Sequence, residues 1–500
     1  MSPKPVPTLQ PNSFAFETAA LVKPTGFREY DARWLYPQEI NLLGIQMVGM
    51  GIGTLMRRRG VTPPAIVVGH DYRSYSMSIK QALTVGLMAS GAQVHDIGLA
   101  LSPMAYFAQF DLDVPAVAMV TASHNDNGWT GIKMGIERPL TFGPDEMNAL
   151  REMVLGGDVE TAPGGSYRMV ENFAERYKAS LADRPKLKRK IRLIAACGNG
   201  TAGAFAPDVL RAIGAEVIEL DTALDYTFPR YNPNPEDMAM LNAVREKMLE
   251  TGAEVGLAFD GDGDRCGVID NKGDAIFADK VGVMLARDIS SLHPGAKFIA
   301  DVKSTGLFMT DPVLAANGAV ADYWKTGHSY IKRRTKELGA IAGFEKSGHF
   351  FFNPPIGRGY DDGLIAALAV LDMMDRNPDR TIAELRDALP RTWQSPTMSP
   401  HCDDEKKYGV VDRVVAHFEG VAKRGEALAG QAIRDINTVN GIRITLADGT
   451  WGLVRASSNK PELVVVVESP ASEDNMRAIF AAIDAHLSTY PEIGEYNQKI

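Results

Sequence analysis

The chain is 500 residues long, room for about three or four domains of ordinary size. An apolar fraction of 45% is that of a globular protein, and a net charge of −9 gives no electrostatic footing for nucleic acid. Three widely spaced cysteines, Cys197, Cys266 and Cys402, make neither a metal pattern nor a disulfide framework and point to a reducing compartment.

The opening MSPKPVPTLQPNSFAF has prolines and no apolar run, so it does not read as a signal peptide. No run of about 20 apolar residues follows anywhere, so no membrane span and no membrane partner is expected, and the protein reads as cytoplasmic. From Ala65, AIVVGHDYRSYSMSIKQALTVGLMASGAQVHDIG reads as buried strand, polar loop, helix and second strand. The same design returns from Ile191 and from Ala296, and each helix stops where Gly91, Gly214 or Gly318 stands at the C′ position. Units of this kind imply parallel pairing covered by helices, and the three copies suggest three related α/β domains.

Between the first two copies lies VAMVTASHNDNGWTGIKMG. Val117–Val120 is a buried strand that ends in Ser123, His124, Asn125 and Asp126, with Lys133 a few residues on. Ligand sites in parallel sheets lie beyond the carboxyl ends of strands. A serine there serves as nucleophile, as phosphate carrier or as a loop former satisfying its own backbone. The G-x-S-x-G pattern of hydrolases is absent.

A second strand, Val255–Phe259, runs into Asp260, Asp262 and Asp264, spaced by Gly261 and Gly263 and followed by Arg265. Carboxylates this close repel one another, and a hard cation such as Mg²⁺ removes the conflict. A calcium hand is a poor match, because Arg265 and Asn271 stand where it needs glycine and glutamate. Such a cation keeps open positions for phosphate oxygens, which a phosphorylated Ser123 would supply.

Later, YWKTGHSYIKRR offers Lys325, His328, Lys332, Arg333 and Arg334 as a basic loop. GFEKSGHFFFNPPIGRGYDDG brings Glu345, Ser347 and His349, suited to sugar hydroxyls. Beyond about residue 400 the pattern changes to helix, turns and strands, with Asn440-Gly441 and Asp448-Gly449 as hairpin signals and a last helix from Ser472 to His486. Inside it, LVRASSNKPELVVVVES gathers Arg455, Ser457, Ser458, Asn459 and Lys460 into a cradle for a phosphate dianion. Expected domains are 1–180, 181–290, 291–398 and 399–500, with linkers at RPKLKRK, at Ser291–Gly295 and at QSPTMSP.

TASHN…GIK, DGDGDR, EKSGH and RASSNKP stand in the order of the α-D-phosphohexomutases, and the chain resembles their bacterial phosphomannomutase/phosphoglucomutase group over nearly its whole length. The resemblance implies three related α/β domains with mixed sheets plus a C-terminal α+β domain, around a central cleft that a hinge before the last domain closes. It implies phosphoryl transfer between O1 and O6 of mannose and/or glucose through a hexose 1,6-bisphosphate, which also acts as activator. It makes Ser123 the phosphoserine and, with Asp260, Asp262 and Asp264, a ligand of Mg²⁺. Lys133, Arg28, His328 and Arg265 fall at catalytic positions; His124, Lys325, Glu345, Ser347, Arg455, Ser457, Ser458, Asn459 and Lys460 fall at substrate-binding ones. The expected partner is a phosphorylated hexose, and the expected state is monomer or homodimer. Asp126 and Lys346 depart from the family's usual residues. A metal-dependent sugar-phosphate phosphatase and a non-catalytic sugar-phosphate binder are the alternatives.

Overall fold

The structure, a computed structural model, describes residues 4–500; the first three residues of the proline-bearing opening lie outside the described residues. The chain divides into two compact units. One runs to Ala278 and takes up Ser347–Ala383; the other holds Asp279–Lys346 and Glu384–Ile500.

The first unit contains two mixed sheets. In the first sheet the strands stand in the order Ala32–Leu35, Trp129–Gly135, Ala116–Val120, Ala65–His70, Gln93–Leu99 and Ser166–Met169. Ala65–His70 and Ala116–Val120 are buried throughout, as continuous apolar runs covered by helices on both faces require. They pair in parallel with His70 opposite Val120, so the loops that begin at Asp71 and Thr121 leave the sheet side by side. Trp129–Gly135 returns antiparallel and sets Lys133 opposite Met119. The core joins Ile66, Val68, Ala118 and Val120 of the sheet to Ile45, Val48, Ile52, Leu83 and Leu87 of the helices Leu42–Arg58 and Ser76–Ala89. Each of the valine, leucine and isoleucine side chains stabilises the fold by about 1.5–3 kcal/mol over its exposed state.

In the second sheet Val255–Phe259 pairs in parallel with Arg192–Ala196, which pairs in parallel with Glu216–Leu220; Cys266–Asp270 runs antiparallel beside Val255–Phe259. The six residues between those antiparallel strands, Asp260 to Arg265, are the acidic stretch. The helix Gly363–Arg376 completes this unit, its first turn capped by Asp362 Oδ1, which accepts from the amides of Leu364 and Ile365 at 2.9 and 3.1 Å. Gly91, Gly214 and Gly318, the expected helix stops, all have positive φ and lie just past helices ending at Ala89, Ala212 and Ala316.

The second unit carries parallel strands Val320–Trp324, Lys297–Asp301 and Ala342–Phe344. It also carries an antiparallel sheet in the order Trp393–Gln394, Leu463–Ser469, Trp451–Ala456, Ile442–Leu446 and Ile433–Asn437, packed by the helices Lys407–Lys423 and Glu473–Leu487. Both hairpin signals hold, with Gly441 and Gly449 at positive φ in the turns. Two readings need correction. The basic stretch expected as a loop is the helix His328–Leu338, whose buried face is made of His328, Ser329, Ile331, Lys332 and Thr335. The expected linker QSPTMSP is woven into the antiparallel sheet: the Ser395 amide donates to the Val467 carbonyl, the Val467 amide donates to Ser395 Oγ, and Met398 exchanges backbone bonds with Val465. Among the described residues no helix is long and apolar enough to cross a membrane.

Candidate active site

Four loops of the first unit meet at one point because four strands end there. Ser123 sits in the loop after Ala116–Val120, buried, with φ +52°. Its amide donates to Thr121 Oγ1 at 2.8 Å, and its Oγ donates to Asp260 Oδ2 at 3.0 Å. Asp71, one residue past the neighbouring strand, organises this loop from below. Its carboxylate accepts from Ser76 Oγ at 2.5 Å, Thr121 Oγ1 at 2.9 Å, the Ala122 amide at 3.2 Å and Arg73 Nε at 3.2 Å. The Arg73 guanidinium then fans across the loop, donating to the carbonyls of Ser123 at 2.9 Å and Asn125 at 2.7 Å, and to Asp126 O and Asn127 Oδ1 at 3.3 Å. The Asp126 side chain, the family departure, is exposed.

The acidic loop closes against the serine. A Cβ on Gly261 would lie 2.4 Å from the Ser123 carbonyl oxygen, so only glycine admits this approach. Asp260 Oδ1 accepts from the amides of Asp264 and Arg265 at 3.1 and 3.2 Å. Asp262 Oδ2 accepts from Ser102 Oγ at 2.5 Å and from Lys133 Nζ at 2.7 Å, and Lys133 also pairs with Asp264 Oδ2. The Ser102 amide donates to the Asp262 carbonyl at 3.0 Å, so Ser102 grips both ends of this residue. All three aspartates are buried, and their carboxylates converge within 4.8 Å.

The electrostatics follow from that crowding. Burial, then the charges of Asp264 and Asp262, push the Asp260 carboxyl well above the usual carboxylate range. Burial alone would lower the Lys133 ammonium; Asp262 and Asp264 outweigh it and hold Lys133 well above the usual lysine range. Lys133 faces Asp262 and Asp264 and the Arg265 guanidinium stands 3.8 Å from Asp260, which leaves three carboxylates with two close cations, and Asp262 Oδ1 is buried with no hydrogen-bond partner. A hard divalent cation fits this donor set: all-oxygen, anionic, convergent and with a lone pair left over.

The remaining expected residues of this unit lie nearby. Arg265 is buried, its Nε 3.8 Å from Asp260 and 3.4 Å from His349 Nε2. His349 Nε2 stands 3.3 Å from Asp264 Oδ1 and 3.9 Å from Asp361, and its Nδ1 is 3.1 Å from Ser347 Oγ. His124 is half-buried, its Nδ1 3.3 Å from Ser123 Oγ. Arg28 lies half-buried in the bend ahead of Ala32–Leu35, its amide donating to the Asp31 carbonyl at 2.9 Å.

Sequence reasoning missed Asp71, Arg73, Ser102 and Arg33. The Arg33 guanidinium is buried beside the cage, donating to Asp31 Oδ2 at 2.8 Å and to the Thr121 carbonyl at 2.9 Å. Burial would lower it; Asp31 and then Asp262 outweigh that and raise it. A signal for Asp71 and Arg73 was present, since HDYR follows a buried strand as directly as ASHN does.

In the second unit, Glu345 is buried and its Oε1 accepts from the Gly327 amide at 2.5 Å. His328 opens the helix that follows, its Nδ1 3.4 Å from Lys332 Nζ, and Lys325 Nζ lies 5.5 Å from the Tyr330 ring centre. Arg455, Ser457 and Ser458 are buried at the end of Trp451–Ala456, while Lys460 is exposed. Arg455 Nη1 donates to the Ala456 carbonyl at 2.6 Å, and its buried Nε has no partner, the unmet donor an anion would take. The Lys460 amide donates to Ser457 Oγ at 3.3 Å, which curls the loop.

Comparison with known proteins covers the same ground. Four family descriptions match in order: phosphoglucomutase/phosphomannomutase alpha/beta/alpha domain I over residues 24–159, domain II over 170–273, domain III over 277–393, and the C-terminal domain over 402–486. A phosphomannomutase/phosphoglucomutase of Pseudomonas syringae pv. tomato is 33% identical over 466 residues, 93% of this chain and 96% of that protein. A phosphoglucomutase of Neisseria gonorrhoeae is 31% identical over 446 residues, 89% of this chain and 92% of that protein. A solved phosphoglucomutase/phosphomannomutase family protein from Burkholderia thailandensis superposes with a TM-score of 0.82 at 29% identity, covering 94% of this chain and 98% of that one. With the cage, the serine loop and the four matched domains in hand, the chain belongs to the α-D-phosphohexomutase superfamily, in its bacterial phosphomannomutase/phosphoglucomutase group.

Proposed function

We propose that this chain interconverts the 1-phosphate and 6-phosphate of mannose and/or glucose, with Ser123 as the phosphoryl carrier and a hexose 1,6-bisphosphate as intermediate and activator. The observation that carries the reading is the Ser123 hydroxyl bonded to Asp260 at 3.0 Å at the mouth of a three-aspartate cage. A bound Mg²⁺ held by Asp260, Asp262, Asp264 and the Ser123 phosphate would supply charge neutralisation of the transferring group.

The protein's own residues do the rest. Arg73 and Asp71 fix the loop so that Ser123 Oγ points into the cage. Lys133 and Arg33 bring positive charge to where the phosphoryl oxygens gather. In the first half-reaction the bond from phosphorus to Ser123 Oγ breaks as the bond to the free sugar oxygen forms. The proton of that hydroxyl leaves to an imidazole, either His124, 3.3 Å from Ser123 Oγ, or His349, 3.3 Å from Asp264, while Lys133, held protonated by Asp262 and Asp264, stays a fixed positive charge. The bisphosphate turns over, and its other phosphate returns to Ser123. Arg455, Ser457, Ser458, Asn459 and Lys460 hold the phosphate that is not being transferred, and Glu345 with Ser347 accepts and donates to the sugar hydroxyls. The hexoses named are supported by the relatives that carry mutase names for both sugars.

A coupled assay with mannose 1-phosphate and with glucose 1-phosphate, each with Mg²⁺ and bisphosphate, tests the reading. Ser123→Ala is expected to fold and to lose turnover. Free phosphate appearing without hexose 6-phosphate selects a phosphatase instead, and undiminished turnover of Ser123→Ala removes the carrier.

A further inference from the structure

The repeat read from the sequence has a counterpart in hydrogen bonds. In the first sheet Asp71 follows His70, which stands opposite Val120, and its carboxylate accepts from the Ala122 amide, two residues past that strand, at 3.2 Å. In the second unit Asp301 follows Ala300, which stands opposite Phe344 on the neighbouring parallel strand. Asp301 Oδ1 accepts from the Lys346 amide, again two residues past the strand, at 3.2 Å, and from Ser304 Oγ. Asp301 Oδ2 accepts from Thr326 Oγ1 at 2.9 Å, as Asp71 accepts from Thr121 Oγ1, and Lys303 Nζ lies 3.7 Å away. The matching place in the middle copy is Cys197, after Ala196, which stands opposite Ala258. The loop there carries three carboxylates of its own, and a fourth would add to their repulsion.

These bonds close a ring around Glu345. Asp301 holds Thr326; the amide of the next residue, Gly327, donates to Glu345 Oε1; and Lys346, the residue after Glu345, returns its amide to Asp301. The Glu345 side chain and the backbone beside it are therefore both fixed to one carboxylate, at the end of a strand buried from Phe298 onward. Asp301, Glu345 and Thr326 are all buried. Burial raises the Asp301 carboxyl, Lys303 opposes the rise and Glu345 adds to it, so the two carboxylates feel one another. The family departure at Lys346 leaves the ring intact, because the ring uses only its amide.

Stripping a buried carboxylate of its donors is costly, so loops that share one are held in register. A carboxylate has lone pairs enough for an amide, two hydroxyls and an ammonium at once, where an asparagine offers one accepting oxygen. We propose that Asp301 is a positioning residue for sugar recognition: it sets the Glu345 carboxylate where the hydroxyls of the hexose arrive, as Asp71 sets the loop of Ser123. This rests on the reader role given to Glu345 under the proposed function.

The test is discrimination between sugars rather than rate alone. O1 and O6 take the phosphates, and mannose differs from glucose only at C2, so the probes are glucose 1-phosphate and its 3-deoxy and 4-deoxy analogues. A reader that hydrogen-bonds a hydroxyl penalises its loss, and the parent should favour the full sugar over at least one analogue by about a hundredfold or more in kcat/KM. In Asp301→Ala that ratio is expected to fall about tenfold or more, while the inhibition constant of inorganic phosphate, which needs no sugar hydroxyl, stays within about twofold. A folded variant that keeps the parent ratio overturns the proposal, as does phosphate inhibition that weakens in step with the ratio, since that marks general damage. Should Asp301→Ala fail to fold, Thr326→Val, which keeps the shape and cuts one link of the ring, is read by the same two measurements. Glu345→Ala is run beside them. If it leaves the ratio unchanged, Glu345 is not the reader and the premise fails; if it erases the ratio while the ring variants keep it, the role of Asp301 alone fails.

Discussion

Replacing Arg73 by methionine keeps much of the side chain's bulk and removes its five donors. Two of its bonds to the serine loop, to the carbonyls of Ser123 and Asn125, are short at 2.9 and 2.7 Å. Hydrogen bonds from a charged group are worth about 1.5–3 kcal/mol each, so these two hold the loop with about 3–6 kcal/mol before the longer pair is counted. Asp71 is not stranded by the change, because Ser76, Thr121 and the Ala122 amide still donate to it. The protein is therefore expected to fold, with stability reduced by about 3 kcal/mol, the lower end of that range. The serine loop is expected to drift, and a displacement of about 1 Å from the productive geometry costs about a hundredfold in rate. The assay is kcat for glucose 1-phosphate by coupled detection of glucose 6-phosphate, with thermal unfolding alongside. Arg73→Lys should recover little, since one ammonium does not reproduce a fan of donors. A folded Arg73→Met with kcat within about threefold of the parent would refute the claim that this fan sets the position of Ser123.

Three further outcomes are expected. Gly261→Ala places a methyl 2.4 Å from the Ser123 carbonyl and should separate the two loops, lowering kcat about tenfold or more with little change in KM; an unaffected kcat would show the approach to be dispensable. Asp262→Asn removes charge from the oxygen pair with the unmet lone pair, so Mg²⁺ affinity measured by calorimetry should fall about tenfold or more, and equal affinity would remove Asp262 from the ligand set. Asp362 is raised to about 7, chiefly by burial. A raised carboxyl contributes stability that is full below its unfolded value near 4 and is lost as pH rises through about 7. Relative to Asp362→Asn, the parent should therefore lose up to about 4 kcal/mol between pH 4 and pH 8, and parallel melting curves across that range would contradict the shift.

The serine and acidic loops were legible because each begins where a wholly apolar strand gives way at once to polar residues, a break that local sequence displays in full. Arg73 and Arg33 were not, since their meaning lies in register: Val120 opposite His70 and Arg33 opposite Gly131 are pairings between segments far apart in the chain. His328–Leu338 misled for another reason. Apart from Ile331, its buried face is built of histidine, serine, lysine and threonine, so a single apolar residue stands where a packed helix usually has a stripe. Glu468 closes a run of valines and reads as the polar end of a strand, yet it is the buried meeting point of five donors. QSPTMSP has the proline and serine content of a linker, and backbone pairing with Val465 and Val467 overrides that composition.

The left-handed backbone at residue 123 narrows which hydroxyl amino acid this enzyme can use. Threonine carries the same kind of hydroxyl that the proposed carrier role needs, but its branched β-carbon is poorly accommodated at φ +52°. On the proposed carrier role, the bend of the chain favours a primary alcohol at this spot independently of the reactivity of the oxygen, and a threonine exchange is expected to strain the backbone before any question of chemistry arises.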